Sequence, residues 1–273
     1  MKVLYYDCFC GISGDMNLGA LLDLGVDEDY VRQELSKLKL DAEYALQVKK
    51  DNKKGISGTR VDVVLHIATH IHNHHHHHHH HHHQAQNGIE AEHGHTQHVH
   101  RNLKDIENII MNSTLSDQVK KLSLAIFMKV AEAEAKVHGK PLYEVHFHEV
   151  GAVDSIVDIV GAAVCLEYLK VDKIMASSVQ VGGGFVKCAH GIIPVPAPAT
   201  VEILKNVPMK SGIVAFETTT PTGAAILAAN VGEFADSMDL TVEKVGYGIG
   251  HRELDIPNVL RVYLGCENKS DKK

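Results

Sequence analysis

Val3-Leu4-Tyr5-Tyr6-Asp7-Cys8-Phe9-Cys10-Gly11-Ile12-Ser13-Gly14-Asp15-Met16 passes from a strand, through a loop, to the start of a helix. Val3 to Tyr6 is a short apolar run of β-formers, as in a buried strand. Asp7 to Asp15 is polar and carries two glycines, which marks a loop. A helix is expected from about Met16 to Leu24, with Gly25 as its stop.

The same alternation recurs outward from that stretch. Asp27 can cap a second helix whose Val31, Leu35 and Leu38 fall at helical spacing. Tyr44–Val48 and Arg60–Leu65 read as strands, joined across the polar segment Asp51 to Gly58 as a hairpin with a long loop. Helices are expected near Arg101–Met111 and from Ser116 to about Val137, where Gly139 stops the second. The later part reads as helix Ser155–Leu169, strand Lys173–Val181, a turn at Gly182-Gly183-Gly184 and helix Ala199–Leu204 opened by prolines. Helix Pro221–Asn230 follows, with Thr220 at the N-cap and Pro221 at N1, then strands Leu240–Val245 and Val259–Leu264. The expected fold is α/β, a mixed sheet with flanking helices, interrupted by a disordered histidine-rich insertion. The insertion occupies residues 68–100, where no hydrophobic period survives and nothing offsets the entropy of ordering. Residues 1–67 and 101–266 then form one α/β domain, and 267–273 a polar tail.

Composition excludes several classes of function. Among 273 residues 44% are hydrophobic and 22% charged, ordinary for a globular chain. Trp is absent, aromatics make up 5% and the formal net charge is -7, all of which argues against a nucleic-acid partner. No apolar run approaches the roughly 20 residues of a membrane span. The N-terminus enters a strand directly without a signal-peptide pattern. Five cysteines at wide spacings fit reduced thiols, and the expected location is cytoplasmic.

Histidine is the unusual component: 22 residues, seventeen of them between His66 and His100. His74, His75, His76, His77, His78, His79, His80, His81, His82 and His83 form an unbroken run. Imidazole suits nickel, copper and zinc. A flexible run offers many ligand sets without fixed geometry, which suits metal storage or presentation and makes a poor catalytic site. A purification tag would be terminal, whereas this run is internal and flanked by scattered histidines.

Further along, His146-Phe147-His148-Glu149 alternates like a strand and puts both histidines on one face. Asp154 and Asp158, four apart, share one side of the following helix start. Two imidazoles and up to three carboxylates could hold a divalent ion or supply a general base; the plainer reading makes Asp154 an N-cap. The loop with Asp7, Ser13 and Gly14 opens a helix N-terminus that favours an anion. Thr218, Thr219 and Thr220 mass hydroxyls at another, suited to a phosphate, although capping by Thr220 accounts for part of that pattern. Neither is a Walker loop or a dinucleotide fingerprint. Cys8 and Cys10 are soft ligands or buried thiols, and His190 and His251 are more readily structural than ligating.

Taken together, five stretches resemble one family: Tyr6–Met16, His146–Asp158, Gly182 through His190 to Thr200, Glu217–Gly223, and Gly246-Tyr247-Gly248-Ile249-Gly250-His251-Arg252. The chain resembles the LarC family, the pyridinium-3,5-bisthiocarboxylic acid mononucleotide nickel insertases, over residues 1 to about 265. The resemblance implies insertion of Ni2+ into a mononucleotide with two thiocarboxylates, giving the nickel-pincer cofactor of lactate racemase-type enzymes. It also implies CTP with Mn2+, bound by a C-terminal domain that family members carry beyond the end of this chain. The implied partners are the mononucleotide substrate and a C-terminal domain polypeptide, with a second copy of the chain left open, and neither nucleic acid nor membrane.

On chemical grounds His146, His148 and Asp158 are the expected fixed nickel ligands, fed by His74–His83. Glu149, His148 and Asp154 are the candidates for removing the ring proton. Two rival classes stay open: a nickel store or metallochaperone without chemistry of its own, and a metal-dependent hydrolase built on the His146–Asp158 cluster.

Overall fold

A computed structural model describes residues 1–66, 101–145, 147, 151–188 and 191–268. In chain order the elements are β1 (Lys2–Asp7), α1 (Gly14–Asp23), α2 (Glu28–Ser36), β2 (Tyr44–Lys53), β3 (Ile56–Leu65), α3 (Leu103–Met111), α4 (Asp117–His138), α5 (Val153–Leu169), β4 (Lys173–Ala176), β5 (Val179–Gln180), β6 (Phe185–Cys188), β7 (Gly191–Pro194), α6 (Pro198–Ile203), β8 (Met209–Lys210), α7 (Pro221–Asn230), β9 (Glu233–Phe234), β10 (Leu240–Ile249) and β11 (Val259–Glu267), with a 3-10 turn at Leu142–Glu144 before α5. The mixed α/β expectation holds. The histidine-rich stretch lies outside the described residues.

Capping chemistry sets the helix ends. Asp27 accepts from Tyr30 N, Ser116 accepts from Val119 N, and Asn102 forms a reciprocal capping box with Asp105. Gly139 ends α4 in the left-handed conformation, φ 61°.

One seven-stranded sheet, in the order β2-β3-β10-β11-β1-β4-β9, draws strands from both sides of the histidine-rich stretch. β1 runs antiparallel to β11 and parallel to β4, which is parallel in turn to β9. The main core lies on one face, where Leu4 and Tyr6 of β1 and Leu260, Val262 and Leu264 of β11 meet the helices. Val3, Tyr5 and Met175 turn to the other face in a small cluster with Tyr263, Leu240 and Ala235. The period-2 alternation of β1 thus distributes its residues between two environments. Among the described residues, no helix is long and apolar enough to cross a membrane.

Three expectations are corrected. The hairpin between β2 and β3 is tight: pairing continues to Lys53↔Ile56, and Lys54 and Gly55 both have positive φ (51° and 85°), a two-residue turn. Its polar flanks are paired strand residues, which the sequence reading took for loop. The expected strand Lys173–Val181 is split, because the chain changes partners: Ser177 N still bonds Tyr6 O, while Ser178 N donates to Asp236 Oδ1 and Val179 N to Pro208 O. Phe147, within the expected strand 146–149, lies outside any strand and is buried in the core. Gly151 lies so close that an added Cβ would be 2.9 Å from Phe147 Cβ.

Candidate functional site

The loop after β1 is clamped from two sides. Gly11 has φ +80°, and a Cβ there would lie 2.0 Å from Thr218 O; a Cβ at Gly223 would lie 2.2 Å from Ile12 O. Thr220 N donates to Ile12 O at 3.1 Å. The starts of α1 and α7 are therefore brought together with little room for side chains. Thr218 Oγ1 and Thr219 Oγ1 both donate to Gln180 O, at 2.9 and 2.7 Å, and Thr220 Oγ1 accepts from Gly223 N. All three hydroxyls have structural partners, and Thr218 and Thr219 are buried. Cys8 and Cys10 are buried as well, and burial raises both thiols, Cys10 to about 11. Neutral thiols are poor metal ligands.

Carboxylates gather where α1 meets α5. The N-cap of α5 is Ala152, which has no side-chain bond to give, so Asp154 sits in the first turn and is not the cap. One turn on, Asp158 presses its carboxyl onto the start of α1: a Cβ at Gly14 would lie 2.3 Å from Asp158 Oδ2. Ser13 Oγ is 2.5 Å from Asp15 Oδ1. Asp15 Oδ2 is 2.9 Å from His251 Nε2, and His251 Nδ1 lies 2.6 Å from Arg60 Nη2 and 3.2 Å from Asp62 Oδ1. Because guanidinium only donates, the Arg60 contact directs the Nε2 proton of His251 at Asp15. That hydrogen bond to Asp15 raises the His251 pKa against burial and Arg60.

Asp158 is the anomalous group. Its pKa is pushed well above the carboxylate range by burial, then by the charges of Asp15 and Asp154. Its Oδ1 is sealed from solvent with no hydrogen-bond partner. Nearby on α1, Asn17 is fully buried, and neither of its side-chain amide atoms is bonded. Asn17 shares a helix face with Gly14 and Leu18, which touch Asp158 and Gly161 of α5. Buried polar atoms without partners are rare, and they concentrate where a ligand or reaction needs them.

The structure thus brings Asp154 and Asp158 together with Asp15, as their spacing in sequence implied for the first two. It separates them from Asp7, which pairs with Arg261 (Nε 2.9 Å, Nη2 2.5 Å). Ser13 and Gly14 adjoin the acids, so an anion at the α1 N-terminus would meet Asp15 and Asp158. Asp15, Asn17 and His251 were missed as a group, because nothing local links positions 15, 17, 62, 158 and 251. His146, His148, Glu149 and His74–His83 lie outside the described residues. Among the described residues, no three His, Cys, Asp or Glu side chains stand close enough to hold a metal ion together.

Comparison with known proteins gives the geometry a context. A family model described as nickel insertion protein matches residues 4–273. A protein of Clostridium kluyveri named pyridinium-3,5-bisthiocarboxylic acid mononucleotide nickel insertion protein is 64% identical over 273 residues, covering 100% of this chain and 64% of the relative. One of the same name from Clostridium acetobutylicum is 68% identical over 275 residues, covering 98% and 64%. Another from Geobacillus kaustophilus is 47% identical over 271 residues, covering 98% and 61%. The chain spans less than two thirds of the length of these relatives. No solved structure matches it.

Proposed function

Because the chain belongs to the nickel insertion protein family, we propose that it delivers nickel to a pyridinium-3,5-bisthiocarboxylic acid mononucleotide, using the acidic cluster at the α1–α5 junction as the fixed end of the site. The supporting observation is the half-buried carboxyl of Asp158, whose Oδ1 is sealed from solvent without a hydrogen-bond partner, beside Asp15 and Asp154. A carboxyl such as that of Asp158, which resists ionisation through burial and then through neighbouring acids, gains most from an added positive charge, whether a proton or a divalent cation.

In this reading His74–His83 gather nickel, and tethering them to the site raises its local concentration. His146, His148 and Asp158 receive the ion. Insertion forms a nickel–carbon bond at the ring carbon between the two thiocarboxylates. The electron pair of the C–H bond becomes the Ni–C bond, and the proton leaves to a base. Glu149, with His148 and Asp154, is assigned that proton.

CTP with Mn2+, which the family resemblance implies, does not fit the described threonine cluster. Its hydroxyls are committed to Gln180 O and to the α7 cap, and the neighbouring α1 N-terminus is acidic.

Glu149→Gln should abolish nickel-pincer formation, read as product mass, while nickel binding by the histidine tract persists. A Glu149→Gln protein that forms product at the wild-type rate removes Glu149 from the mechanism.

A further inference from the structure

A second site opens on the other side of the β1 loop. A cleft of about 410 Å³ is lined by residues that include Asp7, Phe9, Lys210, Asp236, Arg261 and Tyr263. That volume is within the range of small-molecule sites, roughly 300–1,000 Å³.

Its position follows from the topology. β1 and β4 are parallel neighbours, but α1, which follows β1, packs toward β3 and β10, whereas the chain after β4 returns to the sheet as β9, on the far side of β4. Chain connections therefore diverge between these two strands, and ligands of open α/β sheets bind at the carboxyl ends of strands at such a point. Asp7 and Phe9 come from the end of β1, Ser177 and Ser178 from the end of β4, and Gln180 from β5.

The lining is specific in chemistry. The Arg261 guanidinium lies 5.5 Å from the Phe9 ring centroid and 5.2 Å from that of Tyr263. Asp7 Oδ2 takes two of its five donors, which fixes the plane of the fork. Lys210 Nζ bonds Asp236 Oδ2 at 2.8 Å, and Ser178 N holds the other oxygen of Asp236 at 2.8 Å. Lys210 has two further donors and is 59% exposed. The cleft therefore offers aromatic faces, two cations and two carboxylates in balance. A simple anion or cation uses only half of that set; a zwitterion with a flat cationic ring and a phosphate uses all of it. Cationic rings favour aromatic faces and carboxylates, and phosphates favour Arg and Lys.

We propose that this cleft binds the pyridinium mononucleotide, its ring against the Phe9–Tyr263 wall near Asp7 and its phosphate on Lys210 and Arg261. The inference rests on the nickel-insertion reading for the identity of the ligand, and it places the substrate phosphate away from the acidic cluster. Phe9, in the loop after β1, and Asp15, in the first turn of α1, are six residues apart, so their Cα atoms lie within about 21 Å of each other. One stretch of chain thus serves both the ligand cleft and the cluster assigned to nickel.

The test is equilibrium binding of nicotinic acid mononucleotide, a pyridinium carboxylate mononucleotide lacking sulfur, to the 273-residue chain. Wild type should bind it saturably. Lys210→Ala and Arg261→Lys should each weaken binding by about tenfold, while the weaker binding of nicotinic acid, which has no phosphate, should be unchanged by Lys210→Ala. Lys210 is exposed, so that variant leaves the core untouched. No saturable binding by wild type, or equal affinity in wild type and both variants, overturns the assignment. A wild-type chain that binds the mononucleotide in the cleft but inserts no nickel when the C-terminal part of a full-length relative and manganese-CTP are supplied leaves the cleft standing and refutes the nickel-insertion reading instead.

Discussion

Asp158 is half-buried, with its Oδ1 sealed from solvent, beside two other acids, an arrangement that costs stability whenever all three are ionised. Its pKa in the folded state is raised above the unfolded value, so between those two values the native chain binds more protons than the unfolded one. Stability is then fully present below the unfolded pKa of about 3.9 and falls as pH rises toward the folded value. Asp158→Asn removes the charge but keeps the shape. In metal-free buffer at pH 7 the variant should be more stable than wild type by about 1–3 kcal/mol, the scale of a buried polar group left unpaired. That gain should vanish below about pH 4; a urea series showing a gain at pH 3 and none at pH 7 would reverse the assignment. At this scale the sequence was half informative. The i, i+4 spacing put Asp154 and Asp158 on one side of a helix. Their partner Asp15 and the orphaned Asn17 are more than 130 positions away in the chain, and only the packing of α1 on α5 joins them.

Elements here depend on how closely backbones approach. Gly246 and Gly248 of β10 face α1, and a Cβ at Gly248 would lie 1.8 Å from Met16 O. Asp23 at the end of α1 ties the helix to its strands, accepting from Tyr247 N and from Thr59 Oγ1, both at 2.9 Å. Gly248→Ala should cost at least about 1–3 kcal/mol in urea denaturation, because the obstacle is main chain and cannot rotate away. A stability unchanged from wild type would mean that α1 is not seated on β10 as described. Thr220→Ala should cost about 1 kcal/mol through loss of the α7 cap alone. Helices were legible because caps and stops are local: Asp27, Ser116, Thr220 and Gly139 stand where the sequence put them. The β2–β3 turn and the β4–β5 break were not. The first depends on backbone signs at Lys54 and Gly55, and the second on a change of partner strand.

At the scale of the molecule, strand order was beyond the sequence, since β1 ends up between β11 and β4, strands far along the chain. The mixed α/β class was nevertheless readable from alternating periods. The histidine tract adds a property that the folded core does not share. Removing residues 68–100 should leave the denaturation midpoint of the chain unchanged and lower the number of nickel ions bound. In the intact chain, loading should fall as pH drops through roughly 6.5, where free imidazole takes a proton in place of metal. Equal nickel stoichiometry by dialysis at pH 5 and pH 8 would contradict that. The claim on which the account turns is that the α1–α5 acids serve nickel insertion. It is tested most directly by incubating wild type and Asp158→Asn with the apo mononucleotide, nickel and manganese-CTP, and weighing the product. With the C-terminal part of a full-length relative supplied, nickel-containing product is expected from wild type and none from the folded variant; product at equal rates from both, or from neither, would contradict that role.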